Sequence, residues 1–208
     1  MLVSAELRWF WKDAPPRGLD AWFRSGPFPP GGGLPRRDRY LLEPQQTELG
    51  IKMRGGSDVL EVKGFVGAGT ELTKPFEGRI QLWTKWTSTV LSIDNMPHVL
   101  VDKTRWLRKF DTSGPEIREV ALGDDEQPVD RPSHPLDCGC LLEIVAIHIG
   151  DRNAPWWTLA FEAFGPLDSV QDSLHRTAAH VSAPSPPSLG DGLRLSYPEW
   201  LSLWSRNS

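Results

Sequence analysis

Residues 48–64 constrain the fold more than any other stretch, because they predict a β-hairpin whose two faces differ in chemistry. Apolar and polar residues alternate on both sides of a short turn at residues 55–58. Since successive side chains of a strand point to opposite faces, one face is apolar and carries Leu49, Ile51, Met53, Leu60 and Val62. The other face carries Lys52, Arg54, Glu61 and Lys63. That charged face meets either bulk water or a polar cavity.

The same period-two alternation recurs along most of the chain and predicts further strands at residues 3–12, 37–42, 78–86, 98–110, 116–122, 140–149 and 154–164. About eight strands, several with one apolar and one ionic face, predict an α+β fold built on a closed, tunnel-like antiparallel β-barrel in which the ionic faces converge. The alternative is an open sheet whose charges lie in water.

The chain of 208 residues is predicted to form a single domain over residues 1–208. Residues 25–35 and 123–137 are rich in proline and glycine or in acidic residues, and they predict flexible loops. A short helix is expected around residues 19–23. Further helices are expected within residues 166–208, one over 168–182 capped by Asp168 and one that begins at Ser196 with a capping box to Glu199.

Composition narrows the classes of function. The net charge of −4 provides no overall basic field, so sequence-specific nucleic-acid binding is not expected. No apolar run approaches the roughly 20 residues of a membrane-spanning helix, and the charged N-terminus does not resemble a secretory signal. These features predict a cytoplasmic protein without a membrane partner. Cys138 and Cys140 are too close in sequence for a long-range disulfide and too few for a complete metal site.

Two carboxylates occur within otherwise apolar strands. Glu143 shares its register with Leu141, Val145 and Ile147, and Glu162 lies between aromatic residues. An isolated buried carboxylate costs several kcal/mol unless it is solvated or paired. We therefore expect each glutamate to face a polar cavity, a basic partner or a metal ion.

Basic residues recur on one register of strand after strand, although the protein is acidic overall. This set consists of Lys52, Arg54, Lys63, Arg79, Lys85, Lys103 and Arg105. On an open sheet the set is simply a solvated face. In a closed barrel the converging cations repel one another unless an anion or carboxylates lie among them, which favours a polyphosphate-like ligand.

The order of several short motifs resembles the CYTH-like superfamily, the triphosphate tunnel metalloenzymes. Residues 4–8 are similar to the family's opening ExExK strand, with Ser4 in place of the first glutamate and Arg8 in place of the lysine. Residues 38–42 (DRYLL) look like its second strand. Residues 52–54 resemble a basic RxR strand, residues 60–64 a strand ending in lysine, and residues 103–105 a KxR strand. Residues 161–163 resemble the closing ExE strand with one acid lost, and residues 196–201 resemble the start of the terminal helix.

The resemblance implies a site in which basic residues bind phosphates and carboxylates hold Mg²⁺ or Mn²⁺. The phosphate-binding candidates are Arg8, Lys52, Arg54, Lys63, Arg79, Lys85, Lys103 and Arg105. The metal-ligand candidates are Glu6, Glu61, Glu143 and Glu162, a smaller acidic set than the family pattern has.

Two functions are compatible with this reading. One is a divalent-metal-dependent phosphohydrolase that acts on a nucleotide, organic or inorganic triphosphate. The other is a non-catalytic module on the same barrel that binds a phosphorylated small molecule, a polyphosphate or other polyanion, or a protein partner. The sequence leaves the substrate and the oligomeric state open.

Overall fold

A computed structural model describes residues 2–130, 134–150, 155–183 and 185–206 of the chain. The helices are α1 (Leu19–Phe23), α2 (Val170–Val181) and α3 (Tyr197–Arg206). The strands are β1 (Leu2–Lys12), β2 (Gly31–Leu41), β3 (Leu49–Met53), β4 (Leu60–Leu72), β5 (Gly78–Ser88), β6 (His98–Asp111), β7 (Arg118–Val120), β8 (Gly139–Ile149), β9 (Trp156–Gly165) and β10 (Leu193–Arg194).

Eight strands form a closed antiparallel barrel, which confirms the predicted sheet. Their order around the ring is β1, β5, β4, β3, β2, β6, β8 and β9, and β9 pairs with β1 to close it. The two short strands lie outside the ring, with β7 on β6 and β10 on β1. Closure removes exposed strand edges and gives every ring strand an inner and an outer face.

The largest apolar core lies outside the barrel wall. Leu7, Trp9 and Trp11 alternate with the inward-facing Glu6 and Arg8 of β1 and are buried against the helices. The helical side of this core consists of Leu19, Trp22 and Phe23 of α1 and Val170, Leu174, Ala178 and Val181 of α2. Burial of the outer face therefore leaves the inner face free to be polar.

Helix α3 covers one end of the barrel. Trp200 stacks on Phe10 with ring centroids 5.2 Å apart, within a second core that also contains Val145 and Ile147. The predicted capping box is confirmed, since the Ser196 amide donates to Glu199 at 2.6 Å and the Glu199 amide donates to the Ser196 hydroxyl at 3.3 Å.

Some predicted boundaries were wrong. Residues 31–35 belong to β2 and are not part of a loop, because the flexible Gly32 and Gly33 adopt positive φ angles at a bulge against β6. Strand β4 continues past Gly64 to Leu72 through two register shifts. The N-cap of α2 is Ser169 and not Asp168, and it makes no side-chain capping bond.

Backbone contacts join the first residues of the predicted loop at 123–137 to the end of the preceding segment. Leu122 pairs with Pro128, and the Val129 amide donates to the Ala121 carbonyl at 3.0 Å. Residues 131–133 of this loop, and residues 151–153 of the turn predicted between β8 and β9, lie outside the described residues. No helix in the described part of the chain is long and apolar enough to cross a membrane.

Candidate functional site

All eight ring strands and the N-terminus of α3 line one cavity of about 260 Å³ inside the barrel. Eleven of the twelve predicted site residues lie in its wall. They are the basic residues Arg8, Lys52, Arg54, Lys63, Lys85, Lys103 and Arg105 and the acidic residues Glu6, Glu61, Glu143 and Glu162. The barrel therefore brings together the side chains that were predicted from the sequence to form one site.

Arg79 is the predicted site residue that the structure places elsewhere. It shares the alternation of Trp83 and Lys85, but it lies six residues from Lys85, or roughly 20 Å along an extended strand. Its side chain is 63% exposed and pairs with Glu71 at 3.0 Å. Period-two alternation predicts on which face of a strand a side chain lies. It does not predict how far along the barrel the cavity extends.

The cavity also contains residues that were not predicted as site residues. Arg36 and Tyr40 of β2 and Tyr197 of α3 line it, and Asp38, which pairs with Arg36 and Lys103, is fully buried beside them. Arg36, Asp38 and Tyr40 share one register of β2, so the alternation pattern carried a signal that could have found them. Glu126, which bonds to two cavity arginines from a loop, had no such signal.

Arg8 and Glu143 form a deeply buried ion pair at the cavity wall. Arg8 Nη2 lies 2.7 Å from Glu143 Oε1, and only 7% and 5% of the two side chains are exposed. Arg105 adds a second contact to Glu143 at 3.2 Å. Burial raises the pKa of Glu143, but the positive charges of Arg8 and Arg105 outweigh burial and hold that pKa well below its usual value. Glu143 is therefore ionised at neutral pH.

Glu6, Glu162 and Lys63 form a second charged group. Lys63 Nζ donates to Glu162 at 3.0 Å and also to Glu6, so one ammonium lies between two carboxylates. Burial lowers the pKa of Lys63, but the two glutamates outweigh this effect and raise it above its usual value. Ser4 donates its hydroxyl to Glu6 at 2.6 Å.

Glu61 lies between two lysines on neighbouring strands. Its carboxylate is 3.0 Å from Lys52 Nζ and 3.3 Å from Lys85 Nζ. Partial burial raises its pKa, while the two lysines lower it by more and bring the pKa of Glu61 to about 2. This carboxylate neutralises part of the basic wall at neutral pH.

Lys103 lies in an aromatic pocket beside the α3 end of the cavity. Its Nζ is 3.9 Å from the ring centroid of Tyr197 and 4.5 Å from that of Tyr40, and it donates to the Tyr40 hydroxyl. Burial and the nearby positive charge of Lys52 lower the pKa of Lys103 well below its usual value. Asp38, at 3.5 Å, opposes that shift.

The carboxylates do not fit a site that holds a divalent cation through protein ligands. Within residues 2–130, 134–150, 155–183 and 185–206, no group of three or more His, Cys, Asp or Glu side chains is arranged to hold a metal ion. Instead, Glu6 and Glu162 share Lys63, Glu61 pairs with Lys52 and Lys85, and Glu143 pairs with two arginines. Protein cations occupy the places beside these oxygens that a metal would need.

The cavity wall nevertheless has an excess of positive charge. Eight basic and four acidic side chains line it, which gives a formal excess of four positive charges. Asp38 and Glu126 pair with these cations from outside the lining set and reduce the excess to two. In a confined space, this excess attracts an anion.

Comparison with known proteins does not identify a family. The sequence matches no protein-family model and none of the curated proteins with which it was compared. The resemblance to the CYTH-like superfamily thus depends on the short motifs and stays a hypothesis.

Proposed function

We propose that the protein binds a phosphorylated, multiply charged ligand in the barrel cavity, without a requirement for a divalent cation. The observation that carries this proposal is the excess of basic over acidic residues in an enclosed wall to which every ring strand contributes. A triphosphate or polyphosphate chain suits such a wall, because lysine and arginine form charge-assisted hydrogen bonds to phosphate oxygens.

In this proposal the two ends of the tunnel-like cavity differ in exposure. Arg54 is the most exposed of the eight basic lining residues, with 38% of its side chain accessible. Tyr197 and Pro198 of α3 line the cavity near the buried Lys103 and Arg8. A ligand enters at the Arg54 end and extends its phosphates towards the buried cations.

Binding of inorganic tripolyphosphate in EDTA tests the proposal by thermal shift and calorimetry. We expect tripolyphosphate to raise the melting temperature more than pyrophosphate or phosphate, since it reaches more cations. The shift should shrink as salt is added.

Two variants, one of a lysine inside the cavity and one of an arginine outside it, show whether tripolyphosphate binds in the cavity. Lys85→Met removes a cavity cation, and we expect about tenfold weaker binding, because a charge-assisted hydrogen bond contributes about 1.5–3 kcal/mol. Arg79→Met removes a cation outside the cavity and should leave binding unchanged. Absence of any tripolyphosphate shift, or equal losses in the two variants, would overturn the proposal.

Divalent-metal-dependent hydrolysis of a triphosphate is the second candidate function. It is favoured by the position of Glu6, Glu143 and Glu162 in the same wall as the basic residues, where a metal ion would arrive with the triphosphate and take most of its ligands from phosphates and water. Phosphate release from a panel of triphosphates with Mg²⁺ or Mn²⁺ separates it from simple binding. If the protein hydrolyses a triphosphate and Glu162→Gln abolishes this activity, hydrolysis is the function. Binding in EDTA without hydrolysis supports a non-catalytic binding protein.

A further inference from the structure

Residues 121–129, which follow β7, bring one carboxylate onto two arginines of the cavity. Arg105 Nε donates to Glu126 Oε1 at 2.8 Å, and Arg105 Nη2 donates to Oε2, which makes the pair bidentate. Arg54 Nη2 donates to the same Oε2 at 3.3 Å. Two guanidinium groups from the cavity wall therefore hold an anion that belongs to the protein itself.

The backbone of the loop is arranged to present this side chain. Glu126 adopts a φ of 63°, in the left-handed region that non-glycine residues rarely occupy. Its amide donates to the Gly123 carbonyl at 3.0 Å, and the Gly123 amide donates to Gln127 at 2.9 Å. Because of this tight turn, the Glu126 side chain points towards the barrel, whereas Asp124 is exposed to solvent.

Strand β2 leaves room for the carboxylate. A Cβ at Gly32 would lie 3.3 Å from Glu126 Oε1 and 2.5 Å from the carbonyl oxygen of Arg105. Gly32 also has a φ of +91°, and its amide donates to the Gly123 carbonyl at 3.3 Å. Glycine at this position allows both the bulge of β2 and the close approach of the loop.

The geometry of this contact is that of an anion site. A planar guanidinium binds carboxylate and phosphate through the same pair of parallel N–H bonds. A phosphate group carries more charge than a carboxylate and has three acceptor oxygens. Partial burial raises the pKa of Glu126, but its bond to Arg105 outweighs burial, so the pKa is lowered and Glu126 is anionic at neutral pH.

We propose that Arg54 and Arg105 form a subsite for a terminal phosphate group of the ligand, and that Glu126 occupies this subsite in the free protein. The inference rests on the proposed binding of a phosphorylated ligand and adds where one phosphate binds and what it displaces. Glu126 acts as an internal competitor that keeps the arginines paired until a more highly charged anion arrives.

Calorimetry with inorganic tripolyphosphate in EDTA tests the subsite through two charge-matched variants. Glu126→Gln removes the competitor and keeps the side-chain volume, so we expect at least fivefold tighter binding than in the wild type. Asp124→Asn removes the same charge from the exposed side of the same loop and should change affinity by less than twofold. Glu126→Asp, whose shorter side chain reaches the arginines less well, should give an intermediate gain.

A double variant locates the gain at the arginines. In the double variant Arg54→Met/Glu126→Gln, the increase in affinity should fall by at least half, because one of the two guanidinium groups is gone. Circular dichroism checks that each variant is folded.

The outcomes separate this inference from the proposed function. Equal binding by the wild type and Glu126→Gln, or weaker binding by Glu126→Gln, would show that Glu126 only anchors the loop, and the binding function would stand. Failure of the wild type, Arg79→Met and Glu126→Gln to bind tripolyphosphate would overturn both proposals.

Discussion

Glu6 and Glu162 occupy directly opposed positions on the paired strands β1 and β9. Like charges at opposed positions of neighbouring strands destabilise a sheet. Lys63, which reaches both carboxylates from β4, compensates for this repulsion. The barrel thus closes across an acidic pair that a third strand neutralises.

Replacement of Lys63 should destabilise the protein in a pH-dependent way. Lys63→Met leaves the two carboxylates facing each other, and we expect a loss of roughly 2 kcal/mol at pH 7. For a chain of this size that lowers the melting temperature by roughly 4–8 °C. Lys63 lowers the pKa of Glu162, so without Lys63 this carboxyl takes up a proton more readily, and the difference from the wild type should narrow as the pH falls from 7 to 5.

Thermal melts of Lys63→Met at pH 7 and pH 5 provide the measurement. Lys12→Met, which changes an exposed lysine of β1, serves as the control and should behave like the wild type. A constant difference between Lys63→Met and the wild type across this pH range would show that Lys63 does not neutralise the pair.

Removal of Arg8 should cost more stability than removal of Lys63. Arg8→Met removes the shorter of the two arginine contacts of the buried Glu143, and we expect a loss of about 3 kcal/mol from the free energy of unfolding. Urea denaturation measures this loss. In the double variant Arg8→Met/Glu143→Leu, much of the stability should return, because no unpaired charge is then buried. A double variant as unstable as the sum of the two single variants would contradict a direct ion-pair effect.

Glu61 should contribute to the stability of the protein against acid. Its pKa is about 2 in the fold, below the usual value of about 4.3 for an unfolded chain. Its contribution is therefore fully present above about pH 4.3 and is lost as the pH falls towards 2, by an amount of about 3 kcal/mol. Glu61→Gln should show a smaller loss of stability over this range than the wild type.

Denaturant titrations at several pH values between 5 and 2 measure the effect of Glu61. Glu71→Gln changes an exposed carboxylate that also pairs with an arginine, and its acid dependence should match that of the wild type. Parallel curves for Glu61→Gln and the wild type would show that the two lysines do not hold this carboxylate.

The capping box of α3 should contribute measurable stability. Ser196→Ala removes the hydroxyl that accepts the Glu199 amide, and we expect a loss of about 1 kcal/mol, or roughly 2–4 °C in melting temperature. Ser169→Ala, at the N-cap of α2, removes a side chain that makes no capping bond and should cost less than half as much. Similar losses in the two variants would exclude capping as the cause.

Strand faces were predictable from the sequence because period-two alternation is local. Lys52, Glu61 and Lys63 were assigned to one polar face, and all three line the cavity. The buried glutamates Glu143 and Glu162 were predicted to need partners, since a lone carboxylate is costly among apolar neighbours. The cations that pair with them come from β1, β4 and β6, which alternation alone did not assign.

The extent of the cavity and the contribution of the loops were not predictable in this way. Arg79 follows the right alternation but lies beyond the cavity, and Glu126 reaches the arginines from a loop that has no periodicity. Gly32 and Gly33 were placed in a flexible loop, whereas they form a bulge at the start of β2. Positions of this kind depend on contacts between segments far apart in the sequence.

The sequence by itself determined that the chain forms amphipathic strands with a recurring basic register, because side-chain direction in a strand follows directly from position. Only the tertiary structure decided which charges neutralise one another and which remain for a ligand. Closure of β1 on β9 sets Glu6 opposite Glu162, and the curvature of the barrel brings Lys63 between them. Pairing of this kind depends on distances across the barrel, which no local pattern specifies.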